Sequence, residues 1–199
     1  MAAEPVTVVE VRTLAPHTLT AAANASHDLR LHAYTFRGTR WAPDEILDAV
    51  AESGKLFAQC AIALAGADLR IVEAPRRFHF YATPVSRELL RAIGAPRPAI
   101  FFVEDTRNVP AFDAEAIGLA NSRSREELAN TVWVAHGARD LALALAHELV
   151  HVLSDSGEHV SEPGNLMRDE TSPQNTRLSE TQCARLRSRG EANGLLRRR

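Results

Sequence analysis

Residues 139–153, RDLALALAHELVHVL, form the segment that most constrains how this 199-residue chain folds. The segment is almost continuously apolar, but it is too short for a membrane span, which needs about 18 to 20 apolar residues. His147, Glu148 and His151 are the polar side chains in its second half. Burying imidazole and carboxylate groups is costly unless they are paired or bind a ligand. The segment therefore predicts a core helix that carries a functional site.

The spacing of these three residues indicates a metal site. His147 and His151 are four residues apart, so they lie on the same face of a helix, one turn from each other. Both rings can then bind one zinc ion at about 2.0 to 2.1 Å. Glu148 points further around the helix, where its carboxylate can accept a hydrogen bond from a water molecule on that ion. The H-E-x-x-H pattern therefore predicts one catalytic Zn2+, with Glu148 as the general base.

A catalytic zinc ion needs a third protein ligand and keeps one position open for water. We favour His159, because residues 154–157 (SDSG) can turn the chain back toward the helix. Histidine is also the commonest metal ligand of this kind. Glu180 is an alternative, since it lies in the last predicted helix, where thermolysin-like zincins place their third ligand. The other carboxylate candidates are Asp155, Glu158 and Glu162.

The sequence beyond His159 resembles the metzincin superfamily of zinc peptidases. Residues 163–167, PGNLM, place Met167 in a turn shortly after the candidate third ligand, as in the Met-turn of that superfamily. The resemblance implies a zincin-like α+β fold, in which a mixed twisted sheet packs with an active-site helix and a C-terminal helix. It also implies that Met167 forms an apolar floor beneath the zinc without binding it. The metzincin pattern H-E-x-x-H-x-x-G-x-x-H differs here, because the third histidine comes two residues late and the loop is longer.

The resemblance further implies how a substrate binds. In metzincins an edge strand above the zinc pairs with an extended peptide through main-chain hydrogen bonds. The residues that would form this edge strand here are Gly118, Leu119, Ala120 and Asn121. They fit an ordinary connecting segment equally well. His136, just before the zinc helix, either contacts a metal ligand or the substrate, or is only a capping or loop residue.

The rest of the pattern predicts an α+β fold in a single domain, residues 1–199, because strands, one helix, more strands and two helices follow one another. The N-terminal sheet and helix part extends to about residue 153, and the C-terminal part begins at about residue 154. The predicted strands are 6–14, 29–36, 62–72 with a bulge at its glycine, 99–104, 117–122 and 131–135. The predicted helices are 43–59, 86–93, 139–153 and 179–189, and the arginines at 197–199 are predicted to form a solvated, frayed tail.

Cys60 and Cys183 lack the C-x-x-C spacing of a zinc or redox motif. They are either two buried thiols or one disulfide, and we favour the disulfide because the chain contains only these two cysteines. A disulfide implies an oxidising compartment. The start of the chain, MAAEP, looks like a mature N-terminus to which a start methionine was added. We therefore expect a secreted or periplasmic protein.

These features together predict a monomeric zinc metallopeptidase that acts on a peptide or protein substrate. Two alternatives stay open: a gluzincin-like hydrolase with Glu180 as third ligand, and a zinc-binding interaction domain without catalytic activity. The formal net charge of -2 gives no electrostatic reason to expect a nucleic-acid or membrane partner. No glycine-rich nucleotide-binding motif occurs either.

Overall fold

The computed structural model of the chain describes residues 5–14, 24–106, 116–119, 126–138, 140–169 and 172–199. The strands in these ranges are β1 Thr7–Thr13, β2 His27–Phe36, β3 Ile62–Glu73, β4 Phe80–Tyr81, β5 Ala99–Val103, β6 Asp105–Thr106, β7 Ala116–Leu119, β8 Thr131–Ala135 and β9 Leu196–Arg198. The α-helices are α1 Pro43–Phe57, α2 Thr83–Ile93, α3 Leu141–Ser154 and α4 Glu180–Ala192. None of the helices described here combines the length and the hydropathy of a membrane span.

Most strands belong to one mixed sheet with the order β1-β3-β2-β5-β8-β7. β2 is parallel to both β3 and β5, and β5 is parallel to β8. β1 and β7 are antiparallel to their neighbours β3 and β8, at the two ends of this order. The predicted α+β architecture with a mixed twisted sheet is therefore confirmed.

Helices cover both faces of the sheet. On one face α1 and α3 share a core with side chains from β2 and β3; its members include Ile46, Val50, Leu145, Leu149, Leu31 and Leu69. On the other face α2 packs against β5 and β8, through residues such as Leu89, Phe101 and Trp133. Buried apolar area of this kind stabilises the fold by about 25 cal/mol per Å². Because α3 lies in the first core, the functional side chains on it belong to that face.

The predicted bulge in β3 lies beside its glycine. Leu29 pairs with Leu64, and the next residue Arg30 pairs with Gly66, so Ala65 has no opposite residue in β2. Such an extra residue bends the strand locally and re-aims its neighbours. Helix α1 approaches β3 just before this point: a Cβ on Gly54 would lie 2.8 Å from Leu64 Cδ2, so only glycine permits the contact.

The prediction of a frayed C-terminal tail is wrong. β9 pairs antiparallel with the first residues of β2, which β5 does not reach. Asp28 also accepts hydrogen bonds from Arg197 and Arg199, at 3.3 and 2.7 Å. The tail is ordered because it pairs with β2. This partner is distant in sequence, so the run of arginines alone does not reveal it.

A disulfide joins Cys60 to Cys183 across 123 positions of the chain. Cys60 ends the short 3-10 turn that follows α1, and Cys183 lies in the first turns of α4. Arg187 donates a further hydrogen bond to the main-chain carbonyl of Cys60 at 2.8 Å. Helix α4 is thereby fixed to the end of α1.

We expect the Cys60→Ser/Cys183→Ser variant to lose about 4 to 5 kcal/mol of unfolding free energy, because so distant a cross-link restricts the unfolded chain strongly. Chemical denaturation followed by circular dichroism, with and without reductant, measures the loss. Reductant should destabilise the wild type by a similar amount and leave the double variant unchanged. Equal stability of the oxidised wild type and the variant would contradict this expectation.

Candidate metal centre

Helix α3 positions two imidazoles on one face. His147 and His151 are both buried, with 7% of each residue exposed, and their Nε2 atoms are 3.1 Å apart. The apolar residues around them pack into the core, so neither ring faces open solvent. The four-residue helical spacing thus brings both ring nitrogens to a common point.

The loop after α3 brings a third imidazole to the same point. Asp155 ends the helix in the left-handed conformation, with φ of 51°, and the next residue, Ser156, donates its main-chain N–H to the carbonyl of His151 at 3.1 Å. The chain then turns so that His159 Nε2 lies 3.1 Å from His147 Nε2 and 3.0 Å from His151 Nε2. His159 is the exposed member of the cluster, on its open side.

Each of the three rings has its other nitrogen fixed by a hydrogen-bond acceptor. His147 Nδ1 donates to the Leu166 carbonyl at 2.8 Å, and His151 Nδ1 donates to the Ser156 carbonyl at 2.7 Å. His159 Nδ1 lies 2.7 Å from a carboxylate oxygen of Asp169. Since carbonyls and carboxylates only accept, these partners place a proton on Nδ1, so the neutral form of each ring carries its lone pair on Nε2.

Burial keeps the two helix imidazoles neutral. It lowers the pKa of His147, and it lowers the pKa of His151 to about 4; the carbonyls of Leu166 and Ser156 oppose this effect without cancelling it. Neutral rings put no proton between the Nε2 atoms, so lone pairs about 3 Å apart repel one another. A cation at their centre removes this repulsion.

The donor set fits a transition metal such as zinc. Imidazole nitrogens bind zinc, copper, iron and nickel ions. Ligands at 2.0 to 2.1 Å from a tetrahedral zinc ion are roughly 3.3 Å from one another, close to the nitrogen separations found here. Within the described ranges, His147, His151 and His159 form the group of side chains whose ligand atoms are close enough to hold a metal, all within 4.8 Å.

The carboxylates proposed as alternative ligands are not in this group. Glu158 pairs with Arg185 at 2.6 Å, and the carboxylate of Glu162 accepts a hydrogen bond from Asn165 at 3.3 Å. Glu180 is exposed in the first turn of α4, and Asp155 caps the end of α3. Glu148, next to His147 on α3, is half-buried.

The turn at residues 163–168 packs under the histidines. Its Leu166 holds the ring of His147, and the following residue, Met167, is buried in the main core. Met167 also accepts the main-chain N–H of Val160, which follows His159 directly. At Gly164 φ is 77°, a left-handed backbone conformation that strongly favours glycine.

Helix α4 holds this turn from below. The buried side chain of Asn165 accepts the N–H of Met167 at 2.9 Å and donates to Gln182 at 2.9 Å. Gln182 in turn completes a capping box with Ser179 at the start of α4. The turn and the helix are therefore locked together by a continuous set of hydrogen bonds.

The same helix also holds the loop that carries His159. Arg185 pairs with Glu158 and donates to the Ser154 carbonyl at 3.3 Å, so it bridges the end of α3 and the loop. Sequence reasoning missed the support residues Asn165, Gln182 and Arg185, as well as Asp169. The capping pattern from Ser179 to Gln182 marks α4, but nothing in the sequence distinguishes Asp169 from any exposed acid.

The predicted substrate strand is described in part. Gly118 and Leu119 lie in β7, which is antiparallel to β8 at the end of the described sheet order, whereas Ala120 and Asn121 lie outside the described residues. α3 contacts β7. His136 is not in the histidine cluster; its ring packs edge-on against Trp41 at 5.1 Å between centroids.

Comparison with known structures finds the same type of fold. The chain is similar to the crystal structure of metalloproteinase-II from Bacteroides fragilis, with a TM-score of 0.53 and 18% identity, over 82% of this chain and 53% of that one. This chain thus spans about half the length of that protein. No protein-family model and no curated protein matches the sequence. The fold is metalloproteinase-like.

We expect Asp169→Asn to weaken zinc affinity about tenfold, because losing a carboxylate that orients a ligand histidine typically costs 10 to 100-fold. The lower figure applies because the side chain of Asp169 is 84% exposed. Competition with a chromophoric zinc chelator measures the affinity. Asp48→Asn, the same change at an exposed position of α1, is the control and should bind zinc as the wild type does. If Asp169→Asn binds zinc as tightly as the wild type, Asp169 does not contribute to metal binding.

Proposed function

We propose that the chain is a zinc-dependent metallopeptidase, with His147, His151 and His159 holding one zinc ion in a single catalytic domain. The observation that carries this proposal is the convergence of three lone-pair-bearing Nε2 atoms within 3.0 to 3.1 Å. Three protein ligands leave a fourth position open, which is typical of catalytic rather than structural zinc sites. The metalloproteinase-like fold supports the same reaction class.

Zinc at this site would supply a Lewis acid that polarises the scissile carbonyl and acidifies a water molecule. In our proposal the carboxylate of Glu148 accepts the proton of that water and delivers it to the leaving amine. Leu166, Ser156 and Asp169 keep the imidazole rings oriented through Nδ1. The rings therefore need no rearrangement when a substrate arrives.

We also propose that the peptidase is metzincin-like, with a lengthened loop between His151 and the third ligand, His159. It is supported by the burial of Met167 in the turn that fixes His147. Met167 would form an apolar floor there. An extended peptide would add to the edge of β7 by main-chain hydrogen bonds. We propose that the protein acts as a monomer on peptides or proteins.

We also propose a secreted or periplasmic location. The bond between Cys60 and Cys183 supports it, because structural disulfides persist in oxidising compartments. Alkylation of the cysteines in freshly opened native cells tests this: two readily alkylated thiols would contradict the proposed location.

We expect Glu148→Gln to retain zinc and lose peptide hydrolysis by about 10² to 10⁴-fold, because the amide cannot accept the proton of the attacking water. Zinc content by elemental analysis and cleavage of a quenched fluorescent peptide library measure the two properties. Glu180→Gln makes the same change at an exposed position and should keep full activity. Full peptidase activity in the Glu148→Gln variant would show that Glu148 is not the general base and would contradict the proposed mechanism.

The gluzincin-like alternative, with Glu180 as the third ligand, predicts a different zinc content for two variants. We expect His159→Ala to lose most bound zinc after dialysis and Glu180→Ala to retain it, because Glu180 is outside the histidine group. The reverse result would favour the gluzincin-like alternative. The second rival, a zinc-binding interaction domain, predicts no cleavage at all. Cleavage that stops with a chelator and returns with zinc would exclude it.

A further inference from the structure

A second concave site lies on the face of the sheet opposite to α3. Leu29 and Leu31 of β2 pack into the core shared with α3, so the alternating residues Asp28, Arg30 and His32 face the other way. They line a cavity of about 360 Å³; its other lining residues include Arg97 and Arg197, with Ala65 at the β3 bulge and Leu195 after α4.

The acidic groups at this cavity already have cationic partners. Asp28 is paired with Arg197 and Arg199, at 3.3 and 2.7 Å. Behind the lining, Asp68 is paired with Arg70 at 2.5 Å and accepts from His32 Nδ1 at 2.9 Å. These carboxylates therefore have their close contacts with other cations, and Asp68 acts on Arg30 only through longer-range attraction.

Among the residues that the structure describes, Arg30 has no carboxylate in direct contact, and its charge is attracted only at longer range by Asp68. In the described part of the chain it makes no hydrogen bond or ion pair. Its side chain lies across Gly66, where a Cβ would be 3.1 Å from Nη2. The missing side chain at Gly66 thus forms the surface on which the guanidinium rests.

Arg97 is in a similar position. It is half-buried, and its three hydrogen bonds go to main-chain carbonyls, of Ala129 at 2.9 Å, Ala95 at 2.6 Å and Glu127 at 2.7 Å. Among the described residues no carboxylate pairs with it. Carbonyl groups orient a guanidinium but do not cancel its charge, and a partly buried charge without a partner is costly.

We propose that this cavity binds a small oxyanion, a carboxylate or a phosphate group, between Arg30 and Arg97. Guanidinium groups present paired N–H donors that match the oxygen spacing of both anions. Three arginines and one aspartate line the cavity, so its lining carries excess positive charge. The site is independent of the proposed peptidase activity.

Calorimetric titration of the whole chain tests the proposal, with inorganic phosphate and succinate in separate runs at constant ionic strength and sodium chloride as blank. Saturable binding of either anion is expected, and the tighter one identifies the group. Arg30→Gln should weaken it about tenfold through loss of a charge-assisted pair. Arg76→Gln, another exposed arginine outside this cavity, is the matched control and should bind as the wild type does.

Ala65→Glu gives a second test that leaves Arg30 in place. Ala65 is exposed at the cavity, so a carboxylate there should compete with the anion and abolish binding. Thermal unfolding checks that each variant is folded. No saturable binding to the wild type would overturn the proposal. Binding that survives both Arg30→Gln and Ala65→Glu would also overturn it, because the anion would then occupy the histidine cluster or another surface.

Discussion

The hydrogen bond from His147 Nδ1 to the carbonyl of Leu166 is the contact on which the candidate site depends. It joins α3 to the turn at residues 163–168. Because a carbonyl only accepts, the bond fixes the proton on Nδ1 and directs the Nε2 lone pair toward His151 and His159. The residue after Leu166, Met167, is buried in the core that α3 shares. Without this hydrogen bond the ring could rotate, and the three nitrogens would no longer meet.

Helix α4 contributes no member of the histidine cluster, yet it holds two segments on which the cluster depends. One is the loop that carries His159, and the other is the turn that fixes His147. Asn165 and Gln182 connect it to the turn under His147, and Arg185 connects it to the loop before His159. The disulfide at Cys183 fixes the helix to the end of α1. A site is precise only when the residues behind it are themselves locked by packing and hydrogen bonds. Here that support comes from a helix cross-linked to the first half of the chain.

The sheet separates two electrostatic environments. On the α3 face, burial favours neutral imidazoles, which is the form that can bind a metal ion. On the other face, arginines line a cavity and stay charged, because the pKa of a guanidinium is far above neutral pH. The alternation of β2 produces this division, since Leu29 and Leu31 point to one face and Arg30 and His32 to the other. One strand therefore supports a neutral cluster and a cationic cavity at the same time.

The sequence by itself determined the core helix, the common face of His147 and His151, and the position of Glu148 beside them, because helical geometry is local. It also indicated most strands and the mixed sheet. It left several candidates for the third ligand and gave no sign of Asp169 or of β9. Only the tertiary structure decided that His159 meets the two helix histidines beside Asp169 and that the C-terminus pairs with β2, because the path of the loop to His159 depends on contacts with α4 and the turn. Those partners lie far along the chain, where no local pattern relates them to the helix.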